Sequence, residues 1–200
     1  MKIARLFSYL AHPVIIPMVG VIILFRAVNW MGMLSMETRL YTYLAMAFFT
    51  ILMPLSAMPI LKSQRVISSY FMPTAEERKI PLLLASFLLL VCAFLLQKIN
   101  TPMIFPLFIN SSSVVILFCA LISWKWKIST HMAGIAGLVG LVLGITLKWM
   151  IDLRLLLAVL IFLSGLIGWA RLKMQAHTPA QIYAGFGLGF TVVFLIVRFI

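Results

Sequence analysis

The chain has 200 residues, of which 64% are hydrophobic and only 10% are charged, and its formal net charge is +12. A mean hydropathy of +1.16 excludes a soluble globular domain, because ordinary domains are close to half apolar. We therefore expect a multi-pass integral membrane protein with a single transmembrane helical domain over residues 1–200. The basic surplus favours contact with membrane lipids rather than nucleic acid, since no basic–aromatic patch stands outside the apolar segments.

Seven apolar stretches approach the ~20 residues that a helix needs to cross the hydrocarbon core. They predict an all-α, polytopic integral membrane helical bundle of six or seven transmembrane helices, at about 10–30, 41–61, 82–98, 103–123, 132–150, 153–169 and 180–200. The first stretch gives the weakest prediction, because Pro13 and Pro17 lie in its opening turns.

Alternation along the chain assigns the connectors to two faces of the bilayer. We define face A by the N-terminus, loop 62–81 and connectors 124–131 and 170–179, and face B by connectors 31–40, 99–102 and 151–152 and the C-terminus. Face A carries most of the Lys and Arg side chains, which is typical of a cytoplasmic face. A phosphate site on face A would create the same bias, so the side of the membrane stays open.

The three histidines, His12, His131 and His177, each begin a long apolar segment on face A. A neutral imidazole can attack phosphorus, and a protonated imidazole can give a proton to the departing oxygen. Arg171 lies beside His177 in the same connector, and a guanidinium offsets the charge of a transferred phosphoryl group. For His12 we expect an interfacial residue that starts a helix, with a place at the mouth of the site as the alternative.

Three connectors on face A lead directly into helix starts. Arg78 and Lys79 precede the third segment, Ser129 and Thr130 are N-cap candidates for the fifth, and Thr178 is one for the seventh. A helix start presents unpaired backbone N–H groups and a partial positive charge, which together with adjacent cations suit a phosphate.

Two of these motifs resemble signatures of the type 2 phosphatidic acid phosphatase superfamily, as a divergent member. Ser129-Thr130-His131 resembles the second signature, usually Pro-Ser-Gly-His, and Arg171-x5-His177 has the spacing of the third, usually Ser-Arg-x5-His-x3-Asp. The resemblance covers about 125–200, with two apolar segments between the motifs, as in that family. It implies a membrane bundle that dephosphorylates lipid phosphates through a phosphohistidine without a metal.

The resemblance also implies roles for individual residues. His177 would be the nucleophile and His131 the general acid, with Arg171 and Ser129 as phosphate-binding groups. Gln181 stands where the family has the acid that orients the nucleophilic histidine; its carbonyl oxygen can still accept the ring N–H, but it supplies no charge.

The chain also departs from the family elsewhere. Ile128, Thr130 and Ala170 replace the usual Pro, Gly and Ser, and the first signature, Lys-x6-Arg-Pro, is absent in that form. Arg78 and Lys79 are the nearest equivalent, and Thr130 joins them as a phosphate-binding candidate. Glu76 or Glu77 on face A is a possible source of the missing acid.

Other patterns concern packing and metal binding. Small residues at spacings of three and four in the fifth and seventh segments, such as Gly140, Gly185 and Gly189, predict close helix contact that would bring His131 and His177 together.

Only four acids are present, too scattered for a hard-metal site, so we expect no metal and no other cofactor.

The leading hypothesis is therefore a lipid phosphate or pyrophosphate phosphatase of a bacterial inner membrane. Two alternatives remain: a relative that binds lipid phosphates without hydrolysing them, and a small transporter or assembly subunit whose polar cluster lines a pathway.

Overall fold

The computed structural model describes residues 12–200, and within that range it is helical without strands. Six helices in this described range are long and apolar enough to cross a membrane: Met36–Ser63, Glu76–Lys98, Ile104–Ile122, Thr130–Trp149, Arg154–Lys173 and Pro179–Phe199. The prediction of an all-α polytopic helical bundle is confirmed.

We number the helices in chain order: α1 (Ile16–Ala27), α2 (Asn29–Gly32), α3 (Met36–Met46), a π-helical turn (Ala47–Leu52), α4 (Met53–Ser63), a 3-10 turn (Glu76–Arg78), α5 (Lys79–Lys98), α6 (Ile104–Ile122), α7 (Thr130–Trp149), α8 (Arg154–Lys173) and α9 (Pro179–Phe199). Helices α3 and α4 and the π-helical turn between them form the continuous span Met36–Ser63. The helix starts follow from their N-caps: Ser129 Oγ accepts from the Met132 N–H, and Thr178 Oγ1 accepts from the Gln181 N–H.

The first apolar stretch does not form one long helix. α1 has 12 residues and is about 18 Å long, whereas the hydrocarbon core is about 30 Å thick. Residues 13–15 form a turn before it, and the extended Val28 ends it. The prediction of a single spanning helix over 10–30 is therefore wrong in length, and its residues 10 and 11 lie outside the described part of the chain.

The segment nevertheless extends from one end of α7 to the other. The His12 ring packs on the ring of His131 at the start of α7, with centroids 5.8 Å apart. The Trp30 ring packs on that of Trp149 at the end of α7, at 5.9 Å. His12 consequently lies at the same end of the bundle as His131.

The centre of the bundle is the close parallel crossing of α7 and α9. A Cβ added at Gly185 would lie 2.5 Å from the carbonyl oxygen of Ser129, and one at Gly140 would lie 2.7 Å from that of Phe190. A Cβ at Gly189 would collide with the carbonyl group of Ala133. The glycines thus allow backbone-to-backbone contact at the positions where the sequence predicted it.

The loop between α4 and α5 folds back over face A. Glu77 accepts hydrogen bonds from the Ser68 N–H at 3.1 Å and from the Thr74 hydroxyl at 3.2 Å. Lys127 Nζ donates to the carbonyl oxygen of Pro73 at 2.7 Å. The Glu77 bonds fix the loop internally, and the Lys127 bond holds it against the 124–131 connector, where the candidate site lies.

Candidate functional site

His177 lies in the short connector between α8 and α9, and its side chain is buried, at 7% exposure. Its Nδ1 is 3.0 Å from Gln181 Oε1 and 3.2 Å from the carbonyl oxygen of Lys127. The ring is therefore held from two elements, the first turn of α9 and the connector before α7.

Gln181 fixes which nitrogen of His177 carries the proton. Its Oε1 accepts from the Thr178 backbone N–H at 3.2 Å, completing a capping box at the start of α9. Because a backbone N–H can only donate, the atom that faces it must be the amide oxygen. Both neighbours of Nδ1 are then acceptors, so Nδ1 carries the hydrogen and Nε2 carries the lone pair.

The Nε2 atom of His177 is buried and has no hydrogen-bond partner among residues 12–200. Burial is the main reason that the pKa of His177 falls to about 4, and the charges of Arg171 and Arg78 lower it further. The imidazole is therefore neutral near pH 7. It presents an unprotonated nitrogen to its surroundings, which is the form that a nucleophile needs.

Among residues 12–200, the charges of three cations act on this histidine. Arg171, in the last turn of α8, is 8% exposed, and its charge acts on His177, Lys127 and His12. The charge of Arg78 acts on His177 and Lys127, and the pKa of Lys127 is lowered by burial and by these two arginines. Such a cluster of like charges favours a bound anion.

A main-chain hydrogen bond holds the Ser129–His131 motif against the motif that contains Arg171 and His177. The Ser129 N–H donates to the carbonyl oxygen of Gln181 at 3.3 Å, and Ser129 is fully buried. Thr130, at 8% exposure, is the first residue of α7, and the half-buried His131 is the second. The structure thus brings both motifs to one end of the bundle.

Lys79 has other partners than the motif residues. Its Nζ pairs with Glu76 at 3.1 Å and lies 5.8 Å from the centre of the Trp124 ring. It is placed at the rim of face A, whereas Arg78 turns inward, with Nε donating to the carbonyl oxygen of Met72 at 3.1 Å.

No acid replaces the carboxylate missing from position 181. Glu76 is engaged by Lys79, and Glu77 by Ser68 and Thr74. The other two acids of the chain are remote, since Asp152 pairs with Arg154 on face B and Glu37 lies in the first turn of α3. Among residues 12–200, no three His, Cys, Asp or Glu side chains are grouped closely enough to hold a metal ion.

The structure adds a neighbour to His12 that the sequence did not identify. We expected an interfacial residue, with a place at the mouth of the site as the alternative. The exposed His12 ring contacts the His131 ring edge to face, at an interplanar angle of 81°. Burial, and secondly the charge of Arg171, lower its pKa. Its position on face A at the start of an apolar segment was the available signal.

A neutral imidazole with an unprotonated nitrogen, the buried guanidinium of Arg171, the half-buried guanidinium of Arg78 and nearby helix starts can bind an oxyanion and attack it. No family model matches the chain, and comparison with curated proteins and with solved structures likewise found no match.

Proposed function

We propose that this protein is a membrane phosphatase that hydrolyses a lipid phosphate or pyrophosphate through a phosphohistidine at His177, without a metal. The observation that carries the proposal is the state of His177: neutral, with Nδ1–H held by two acceptors and the Nε2 lone pair buried beside Arg171 and Arg78. The motif resemblance over about 125–200 supports the same reaction.

In the first step, the Nε2 lone pair of His177 forms a bond to phosphorus, and the bond from phosphorus to the ester oxygen breaks. The leaving oxygen takes a proton from protonated His131. Arg171, Arg78 and Lys127 offset the charge on the phosphoryl oxygens, which is where most of the catalytic benefit arises in phosphoryl transfer.

In the second step, water attacks phosphorus and the bond to Nε2 breaks. Neutral His131 takes the proton from the water, so both histidines return to their starting states. The protein therefore needs no external acid to complete a cycle. The donor set of imidazole and guanidinium also suits an oxyanion better than a hard cation, which prefers carboxylates.

The position of the site supports a lipid substrate. It lies at one end of a bundle of six long apolar helices. A phosphate headgroup at face A would then leave its acyl or polyprenyl tail in the bilayer. A bacterial inner membrane is the compartment we propose.

Gln181 supports a second candidate function, a protein that binds lipid phosphates without hydrolysing them. The amide orients His177 but cannot stabilise the positive charge that develops on the ring during attack. In serine proteases, the corresponding exchange of acid for amide costs about 10⁴ in rate.

Phosphate release from a panel of lipid phosphates and pyrophosphates by the purified protein tests the proposal, with His177→Gln as the matched inactive variant. We expect release by the wild-type protein and none by the variant. Wild-type protein that binds the lipids but releases no phosphate would favour the binding function. Neither binding nor release across the panel would contradict both and favour a transport or assembly role.

A further inference from the structure

We propose that His12 is a third site histidine, which donates a hydrogen bond from Nε2 to the bound phosphoryl compound. The inference rests on the proposed function only for the presence of a phosphate site. It gives the first segment, which carries no motif of the resemblance, a direct part in recognition.

The hydrogen-bonding state of the His12 ring follows from its local contacts. Nδ1 accepts a hydrogen bond from the Val14 N–H at 3.4 Å. A nitrogen that accepts cannot carry the hydrogen, so in the neutral ring Nε2 is the protonated atom. His12 therefore offers a donor, whereas His177 offers a lone pair.

The start of the first segment is anchored against α7. Ile16 approaches the position that a Cβ would occupy at Gly134 to 3.2 Å, and the His12 ring rests on the ring of His131. The donor is thus carried by packed structure beside the general-acid candidate.

Arg171 links the two sides of the site. Its charge acts on both His12 and His177, so an anion seated on this guanidinium lies within electrostatic reach of both rings. Exposure increases from Arg171 and His177, which are buried, through His131 to His12, which is exposed. This gradient places the His12 donor at the mouth of the site, where an arriving phosphoryl compound meets it first.

Two substitutions separate the two nitrogens of His12. Asn in place of His12 keeps an acceptor near the Nδ1 position but its shorter side chain leaves no donor at the Nε2 position, whereas Gln places an amide N–H near Nε2. We expect His12→Asn to weaken binding about tenfold or more, the effect of losing one hydrogen bond to a charged group. We expect His12→Gln to stay within about threefold of wild type, because it keeps such a bond.

The probes are inorganic phosphate, followed by phosphorus NMR, and phosphatidic acid in phosphatidylcholine nanodiscs. If His12→Asn binds both probes more weakly by a similar factor, and its thermal midpoint stays close to that of wild type, the result supports a contact to the phosphoryl group itself. Weaker binding of the lipid alone would contradict that contact, since the effect would then arise elsewhere on the lipid.

Wild-type affinity in both variants, or equal weakening in both, would also overturn the proposal. Binding is measured separately from turnover, so this test keeps its meaning if the wild-type protein binds phosphate and hydrolyses nothing. That result would contradict the proposed hydrolysis. The affinities of the two variants would still test the His12 contact.

Discussion

Gln181 uses one oxygen atom for two structural tasks. Oε1 accepts a hydrogen bond from the Thr178 backbone N–H at the start of α9. The same atom also lies opposite Nδ1 of His177. The orientation of the candidate nucleophile is therefore coupled to the start of a transmembrane helix. A substitution that shortens this side chain would disturb both, so the informative changes at position 181 are isosteric ones.

Gln181→Glu is the isosteric test of the missing acid. The carboxylate can accept the same two hydrogen bonds, and its negative charge favours a positively charged His177 ring. We expect a gain in turnover number of about tenfold to 10⁴-fold, the upper value being the reverse of the acid-to-amide exchange in serine proteases. Steady-state phosphate release measures it. Unchanged turnover with intact binding would contradict the idea that charge at position 181 limits the reaction.

Burial of His177 makes stability depend on pH. Its pKa is about 4 in the folded protein against 6.5 when unperturbed. The unfolded chain therefore binds a proton first as the pH falls. The contribution of neutral His177 to the stability of the folded protein is complete above pH 6.5 and is lost as the pH falls to about 4. We expect the loss to be about 3 kcal/mol in the free energy of unfolding.

Thermal midpoints in detergent across this pH range provide the measurement. His177→Gln removes the titrating ring and should flatten the dependence, leaving the smaller contribution of groups such as His12. Identical pH profiles for variant and wild type would contradict the lowered pKa.

At the scale of elements, the crossing of α7 and α9 determines whether the two motifs meet. Gly189 lies against the carbonyl group of Ala133, whereas a Cβ at Gly187, on another side of the same helix, would meet nothing within 4 Å. These two glycines form a matched pair, since replacement by alanine changes helix propensity equally in both.

We expect Gly189→Ala to lower the free energy of unfolding by about 1–3 kcal/mol through overpacking, and Gly187→Ala to leave it unchanged or slightly raised. Gly189→Ala should also weaken phosphate binding, because the helices that carry Ser129 and Gln181 move apart. Thermal midpoints and phosphate titrations compare the two variants. Equal effects would show that the crossing tolerates an added methyl group.

Much of this element-level structure was predictable from sequence. Hydropathy located α5 to α9, and Thr178 was identifiable as the cap of α9. For α7 the sequence offered both Ser129 and Thr130, and the structure makes Ser129 the cap and Thr130 the first helical residue. The double role of Gln181 Oε1 was only half predictable, since the His177 contact was expected but the capping box depends on the connector's path. The loop pairing of Lys127 with Pro73 is a contact between distant parts of the chain that no local pattern encodes.

At the scale of the whole molecule, the first segment shows where hydropathy fails. Hydropathy measures the length of an apolar stretch and not its backbone conformation. It therefore included residues 13–15 and Val28 in the predicted helix, although the structure has a turn and an extended residue there. The environment of His12 was hidden for a related reason: sequence gave its face of the membrane but not its neighbour on α7.

The arrangement of the segments predicts which loops share a side. Single cysteines at positions 12, 125 and 173 are expected to react from one side of the membrane, and those at 33, 100 and 152 from the other. The background protein would lack Cys92 and Cys119, which are buried. Labelling of sealed vesicles with an impermeant maleimide measures this. Position 12 labelling with position 33 would contradict a first segment that crosses beside α7.

The gathering of Arg78, Lys127 and Arg171 has a consequence for handling the molecule. Glu77 offsets part of this charge, through Arg78, and its carboxylate is also shared with Ser68 and Thr74. With nothing bound, mutual repulsion among the cations is a standing cost to the native state. A divalent counter-ion relieves it, so resistance to heat should climb with added phosphate or sulfate well beyond the effect of chloride at matched ionic strength. Buffers containing such salts would then compete with the lipid phosphate that we propose as the ligand.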